Sequence, residues 1–109
     1  MAPRLAAGML VSALIRRAEE AGGSGMVLAR GDATAGALLI QLAERGQPGP
    51  LLERRLDPTG SYRWSPTGPE SDAERSNYIA RRRRSDPDLW VIELDVAEGL
   101  ALVEAIAGQ

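Results

Sequence analysis

Four arginines in a row, Arg81, Arg82, Arg83 and Arg84, are followed within four residues by Asp86 and Asp88. A guanidinium is a rigid, planar fork of donors that matches carboxylate and phosphate oxygens, so this stretch can grip an anionic group. It also marks a change of sign. From Arg54 to Arg84 there are eight arginines and four acids, whereas from Ser85 to Gln109 there are six acids and no base. A second chemistry open to the chain is acidic. Asp88, Glu93 and Asp95 could hold a divalent cation for phosphoester chemistry, because Glu93 and Asp95 stand two apart and share a face if their segment is a strand. Trp64 is a third candidate. It is an aromatic anchor for a partner if its short segment is exposed, and a core residue if it is not.

Absences narrow these options. The chain has no cysteine, so disulfides, thiolate metal sites and cysteine nucleophiles are excluded. It has no histidine, which removes the commonest general base and every Ser-His or Cys-His dyad. All thirteen basic residues are arginine, so no lysine can serve beside the carboxylates. Net charge is −2, and two Trp, two Tyr and no Phe leave little for base stacking. Nucleic acid is therefore not the expected partner, and no metal or other cofactor is implied.

At 109 residues the chain makes one domain, 1–109, with room for one core. No stretch reaches the ~18 apolar residues of a membrane span, and Arg16-Arg17 interrupt the early apolar run, so no membrane and a cytoplasmic location are expected. Leu5, Met9, Leu10, Ala13, Leu14 and Ala18 recur at helical spacing, which predicts a helix over Ala6–Ala21. Gly22-Gly23-Ser24-Gly25 ends it; a phosphate loop would instead lead from a strand into a helix. Strands are predicted at Met26–Arg30, Ala35–Ala43, Leu51–Leu56 and Ser61–Trp64. Gln47-Pro48-Gly49-Pro50 reads as a break, Asp57-Pro58-Thr59-Gly60 as a type I turn and Pro66–Pro69 as a loop. The middle strands form an antiparallel meander.

Ser71 or Asp72 caps a second helix that runs to Arg84, with acids at its start and arginines at its end, as the helix dipole favours. Asp86-Pro87 stops it. Leu89–Val96 follows as a strand apolar on both faces, hence interior to the sheet. Ala97–Ala107 closes the chain as a helix with Leu100, Val103 and Ala107 inward. The fold class is α+β in the order α-β-β-β-β-α-β-α, a mainly antiparallel sheet with helices packed on one face.

Val11-Ser12-Ala13-Leu14-Ile15-Arg16-Arg17, Gly31-Asp32 with Ala35-Gly36, Trp64, and Ala80-Arg81 leading to Asp86-Pro87-Asp88-Leu89-Trp90-Val91-Ile92-Glu93 resemble the small bacterial proteins grouped as domain of unknown function 1491. The likeness runs from about Arg4 to Val96. It implies a compact α+β domain and no particular activity.

The leading expectation is a non-enzymatic binding protein. Arg81 and Arg82 contact a protein partner or anionic ligand, and Arg83 braces the Asp86–Asp88 turn through an ion pair. The alternatives are the carboxylate enzyme and, against the acidic total, a nucleic-acid binder using the arginine run. A homodimer through Leu100 and Val103 of the last helix is a further possibility.

Overall fold

A computed structural model describes residues 5–107. The first four residues and the last two of the expected domain, Arg4 among them, lie outside the described residues. The elements are α1 (Ala7–Glu20), β1 (Ser24–Ala29), β2 (Leu38–Glu44), β3 (Gln47–Leu56), β4 (Tyr62–Thr67), α2 (Asp72–Ser85), β5 (Trp90–Asp95) and α3 (Gly99–Ala107). They build an α+β fold in the expected order. One five-stranded sheet runs β1-β5-β2-β3-β4. β2, β3 and β4 form the antiparallel meander, β1 pairs antiparallel with β5, and β5 lies parallel to β2.

β5 occupies the interior because both of its faces are apolar. On one face Trp90, Ile92 and Leu94 join Leu38, Ile40, Leu42, Leu52 and Trp64 beneath Val11, Leu14 and Ala18 of α1 and Val103 and Ala107 of α3. On the other, Leu89 and Val91 join Leu39 and Leu51 under Tyr78 and Ile79 of α2. The expectation of a single helical layer is thus corrected: α1 and α3 share a face and α2 covers the opposite one. Leu100 is corrected too. The inward stripe of α3 is Gly99, Val103 and Ala107, spaced by four, and Leu100, one position off it, stays exposed.

Two proline-bearing segments expected to be irregular are strand. Pro48 and Pro50 lie inside β3, but β4 begins pairing only at Leu51↔Thr67, so that part of β3 has no neighbour on that side to need a donor. Pro66 lies in β4, an edge strand, where a missing N–H is tolerated. Between Gln41 and Ala43 the β2–β3 register shifts. Gln41 repairs this irregularity by donating from Nε2 to the carbonyls of Leu42 (2.8 Å) and Gly49 (2.7 Å), which explains a buried amide in the sheet.

Trp64 belongs to the core. It is 4% exposed, and its indole N–H donates to the Ala107 carbonyl at 2.7 Å, tying β4 to the end of α3. Of the two readings of Trp64, anchor or core, the core one therefore holds: β4 turns this side chain towards α3. Replacing Trp64 by Ala should lower the unfolding free energy by about 3–5 kcal/mol, read from urea denaturation. A loss below 1 kcal/mol, on the order of a surface change, would contradict this placement.

Candidate functional site

α2 begins at Ser71, whose hydroxyl accepts the Glu74 N–H at 3.3 Å. It ends at Asp86, whose N–H bonds back to the Arg82 carbonyl. Its inward stripe is Arg75, Tyr78, Ile79, Arg82 and Arg83, so only Tyr78 and Ile79 bring apolar surface to the sheet. The rest of its attachment is polar.

The four consecutive arginines have four different surroundings. Arg82, expected to project outward, turns in and forks onto Glu53 of β3, with Nη1–Oε1 at 2.9 Å and Nη2–Oε2 at 2.6 Å. Its Nη1 also donates to the Tyr78 hydroxyl at 2.9 Å. This correction has a simple cause. The inward stripe centres on Tyr78, and Arg82 lies one turn beyond it on the same side.

Arg83 braces the turn, as expected, but not through an ion pair. Its Nη1 donates to the carbonyls of Arg30 (3.1 Å), Pro87 (2.8 Å) and Leu89 (2.7 Å). Arg81 is exposed, with its guanidinium 6.0 Å from the Tyr78 ring centroid, and Arg84 is exposed as well.

The acidic turn is built from its own backbone. Asp86 accepts the Asp88 N–H on Oδ1 and the Leu89 N–H on its carbonyl. The Asp88 carbonyl accepts from Asp32 and lies so close to Gly31 and Gly36 that a Cβ on either glycine would collide with it. The Asp88 side chain remains exposed. What was read as a recognition motif is in large part the junction between α2, β5 and the loop after β1.

The cationic surface extends onto the sheet. Leu51, Glu53 and Arg55 alternate onto the α2 side of β3. Arg55 stands directly opposite Arg63 of β4. Arg55 donates to the Thr67 hydroxyl at 2.6 Å and approaches Glu53 at 3.5 Å. The Arg82 bonds, opposed by burial and helped by the charge of Arg55 and the Thr67 hydroxyl, hold the Glu53 carboxyl below the usual glutamate range. Between the C-terminal half of α2 and the β3–β4 hairpin, Arg55 and Arg82 thus close on Glu53, Arg63 lies within range of the Asp57 charge, and Arg81 stands beside Tyr78. Sequence reasoning missed Glu53, Arg55, Arg63, Tyr78 and Thr67. The signal was the period-two alternation of β3, which sets Leu51, Glu53 and Arg55 on one face.

Arg75 was also missed. It is 6% exposed and ties the start of α2, donating to the Pro69 and Glu70 carbonyls and to Asp72. It lines a shallow cavity of about 360 Å³ with Pro48, Pro50, Pro66 and Pro69.

The carboxylate alternative does not assemble. Both Asp95 oxygens accept backbone N–H groups of the β2–β3 turn, from Arg45 at 2.8 Å and Gly46 at 2.9 Å. That turn has positive φ at both residues, 52° and 79°, the type I′ form. Asp88 lies in the turn that precedes β5, whereas Asp95 is the last residue of that strand. Among the described residues no three acidic side chains converge as ligands for a cation.

Because the folded-state pKa of Glu53 is depressed, its contribution to stability is full above the ordinary glutamate value and fades as pH falls through the folded value. Glu53→Gln should cost roughly 1–3 kcal/mol near neutral pH, with the gap to the parent narrowing in acid. A gap constant from neutral to strongly acidic pH would contradict the ion pair.

A family model for proteins of unknown function (DUF1491) matches residues 5–104, running past Val96 into α3. The crystal structure of a DUF1491 family protein from Caulobacter crescentus CB15 superposes with a TM-score of 0.79 at 32% identity, covering 91% of this chain and 94% of that one. The NMR structure of a DUF1491 family protein from the same organism gives 0.76 at 32% identity, with 93% and 94% covered. The solution structure of protein Atu0922 from A. tumefaciens gives 0.65 at 31% identity, with 88% and 89% covered. No curated protein matches. The chain belongs to the DUF1491 family of proteins of unknown function.

Proposed function

We propose that the chain is a non-enzymatic, cytoplasmic binding protein that captures an anionic group on the shoulder between α2 and the β3–β4 hairpin. The observation that carries this reading is Arg55 directly opposite Arg63. Like charges in a cross-strand pair are destabilising, and here they stand beside Arg81 and an Arg82 already committed to Glu53. Four guanidiniums against two carboxylates leave donors and charge for an incoming carboxylate or phosphate.

Within this reading the labour divides differently from the sequence expectation. Arg55, Arg63 and Arg81 meet the ligand. Arg82 and Arg83 hold α2 in place, and Asp86 and Asp88 shape the turn that Arg83 clamps. Trp64 makes no contact with the ligand.

Calorimetric titration at low salt with polyglutamate and with tripolyphosphate tests the reading. The parent should bind at least one of them, and binding should weaken with added salt. Arg63→Ser combined with Arg81→Ser should weaken it roughly tenfold or more and leave the melting temperature unchanged. Arg83→Ala should lower the melting temperature while the remaining folded protein still binds. No heat with either probe, or undiminished binding in the double variant, would sink the proposal.

A further inference from the structure

The two edges of the sheet are unlike each other. β4 carries Arg63 and Pro66, two devices that discourage a free edge from pairing. β1 carries neither. Its six residues, Ser24 to Ala29, have no charge and no proline, and β1 is bonded only to β5. Met26, Val27 and Leu28 are 54%, 40% and 49% exposed, the one consecutive run of exposed large apolar side chains among the described residues. Leu28 is the extra residue of a bulge between the pairs Val27↔Ile92 and Ala29↔Val91, so the regular ladder of β1 is Ser24–Val27 and ends at the bulge.

We propose that this edge pairs antiparallel with β1 of a second copy about a two-fold axis, joining two sheets into one of ten strands. An unpaired strand presents a row of backbone donors and acceptors spaced to match another strand, and three arguments select a second copy as its source. Antiparallel pairing of identical strands is isologous and closes at the dimer, whereas β1 against β4 of another copy would propagate without end and would meet Arg63 and Pro66. The strand carries no charge to repel its twin. Its flanks do not repel under the same axis: Arg30, whose guanidinium lies over Trp90, follows β1, the mixed Arg16-Arg17-Ala18-Glu19-Glu20 end of α1, where Arg17 pairs with Glu20, precedes it, and an antiparallel arrangement brings the one towards the other. A parallel arrangement would set Arg30 against Arg30. The rival face on α3 has less to offer, because Val103 is wholly buried in its own core and only Leu100 among its large apolar side chains is exposed.

Sedimentation velocity of the full chain across a wide concentration series is the test. The parent should show a monomer–dimer equilibrium. Met26→Lys with Leu28→Lys should raise the dimer dissociation constant roughly tenfold or more, while Leu100→Lys leaves it unchanged. A short bismaleimide should link a single cysteine placed at Met26 across the axis, and fail with one at Leu100; the chain has no native cysteine to confuse the result. That experiment decides the matter if the lysine variant does not fold. A monomer at every concentration, a dimer indifferent to the lysines, or a dimer lost only with Leu100→Lys overturns the proposal.

Discussion

The guanidinium holds this structure in its working form. α2 has too thin an apolar stripe to stay on the sheet by burial alone, and three arginines fasten it at three points. Arg75 draws in the loop before it, Arg82 forks onto β3, and Arg83 clamps the carbonyls where β5 begins. These ties in turn seal the second apolar cluster of Leu39, Leu51, Leu89 and Val91. Arginine suits the task because one head group satisfies several carbonyls, or both oxygens of a carboxylate, at fixed angles. Removing either partner of a half-buried pair leaves the other charge poorly solvated. The helix is therefore coupled to its acceptors more tightly than its surface position suggests.

The two faces of the sheet are stabilised in different ways. Under α1 and α3 the packing is apolar and continuous, with two tryptophan N–H groups each finding a carbonyl, Trp64 at Ala107 and Trp90 at Asp32. Under α2 a smaller apolar cluster is bordered by Glu53, Thr67, Tyr78 and the arginines. The polar border lets charge gather at the hairpin side of α2 without breaking the core, and it places the proposed binding surface on the less insulated half of the protein.

Much of the fold was legible because strong local signals agreed. The glycine run ended α1, Ser71 capped α2, Asp86-Pro87 stopped it, and the two-faced apolar pattern of Leu89–Val96 placed β5 inside the sheet. Pro48, Pro50 and Pro66 misled because proline is a poor strand residue only where a neighbouring strand needs its N–H, and that depends on where β4 ends. The candidate site was half legible. Arg83 was expected at the Asp86–Asp88 turn and lies there. Arg82 was not expected to turn inward, because the partner that draws it there, Glu53, lies 29 residues away on β3. Asp95 looked like a metal ligand because no local pattern shows that its acceptors are filled by a turn 50 residues earlier.

The position of β5 has a consequence for how the chain comes into being. Made last among the strands, it fills the slot between β1 and β2, and its final residue grips the β2–β3 turn. During synthesis the N-terminal strand has no neighbour to pair with until residues 90–95 have emerged. The sheet cannot zip up from one end. The nascent chain must carry α1 and the three-stranded meander as separate pieces, then close on the arrival of one late segment, which makes the emergence of β5 the event that commits the domain to fold.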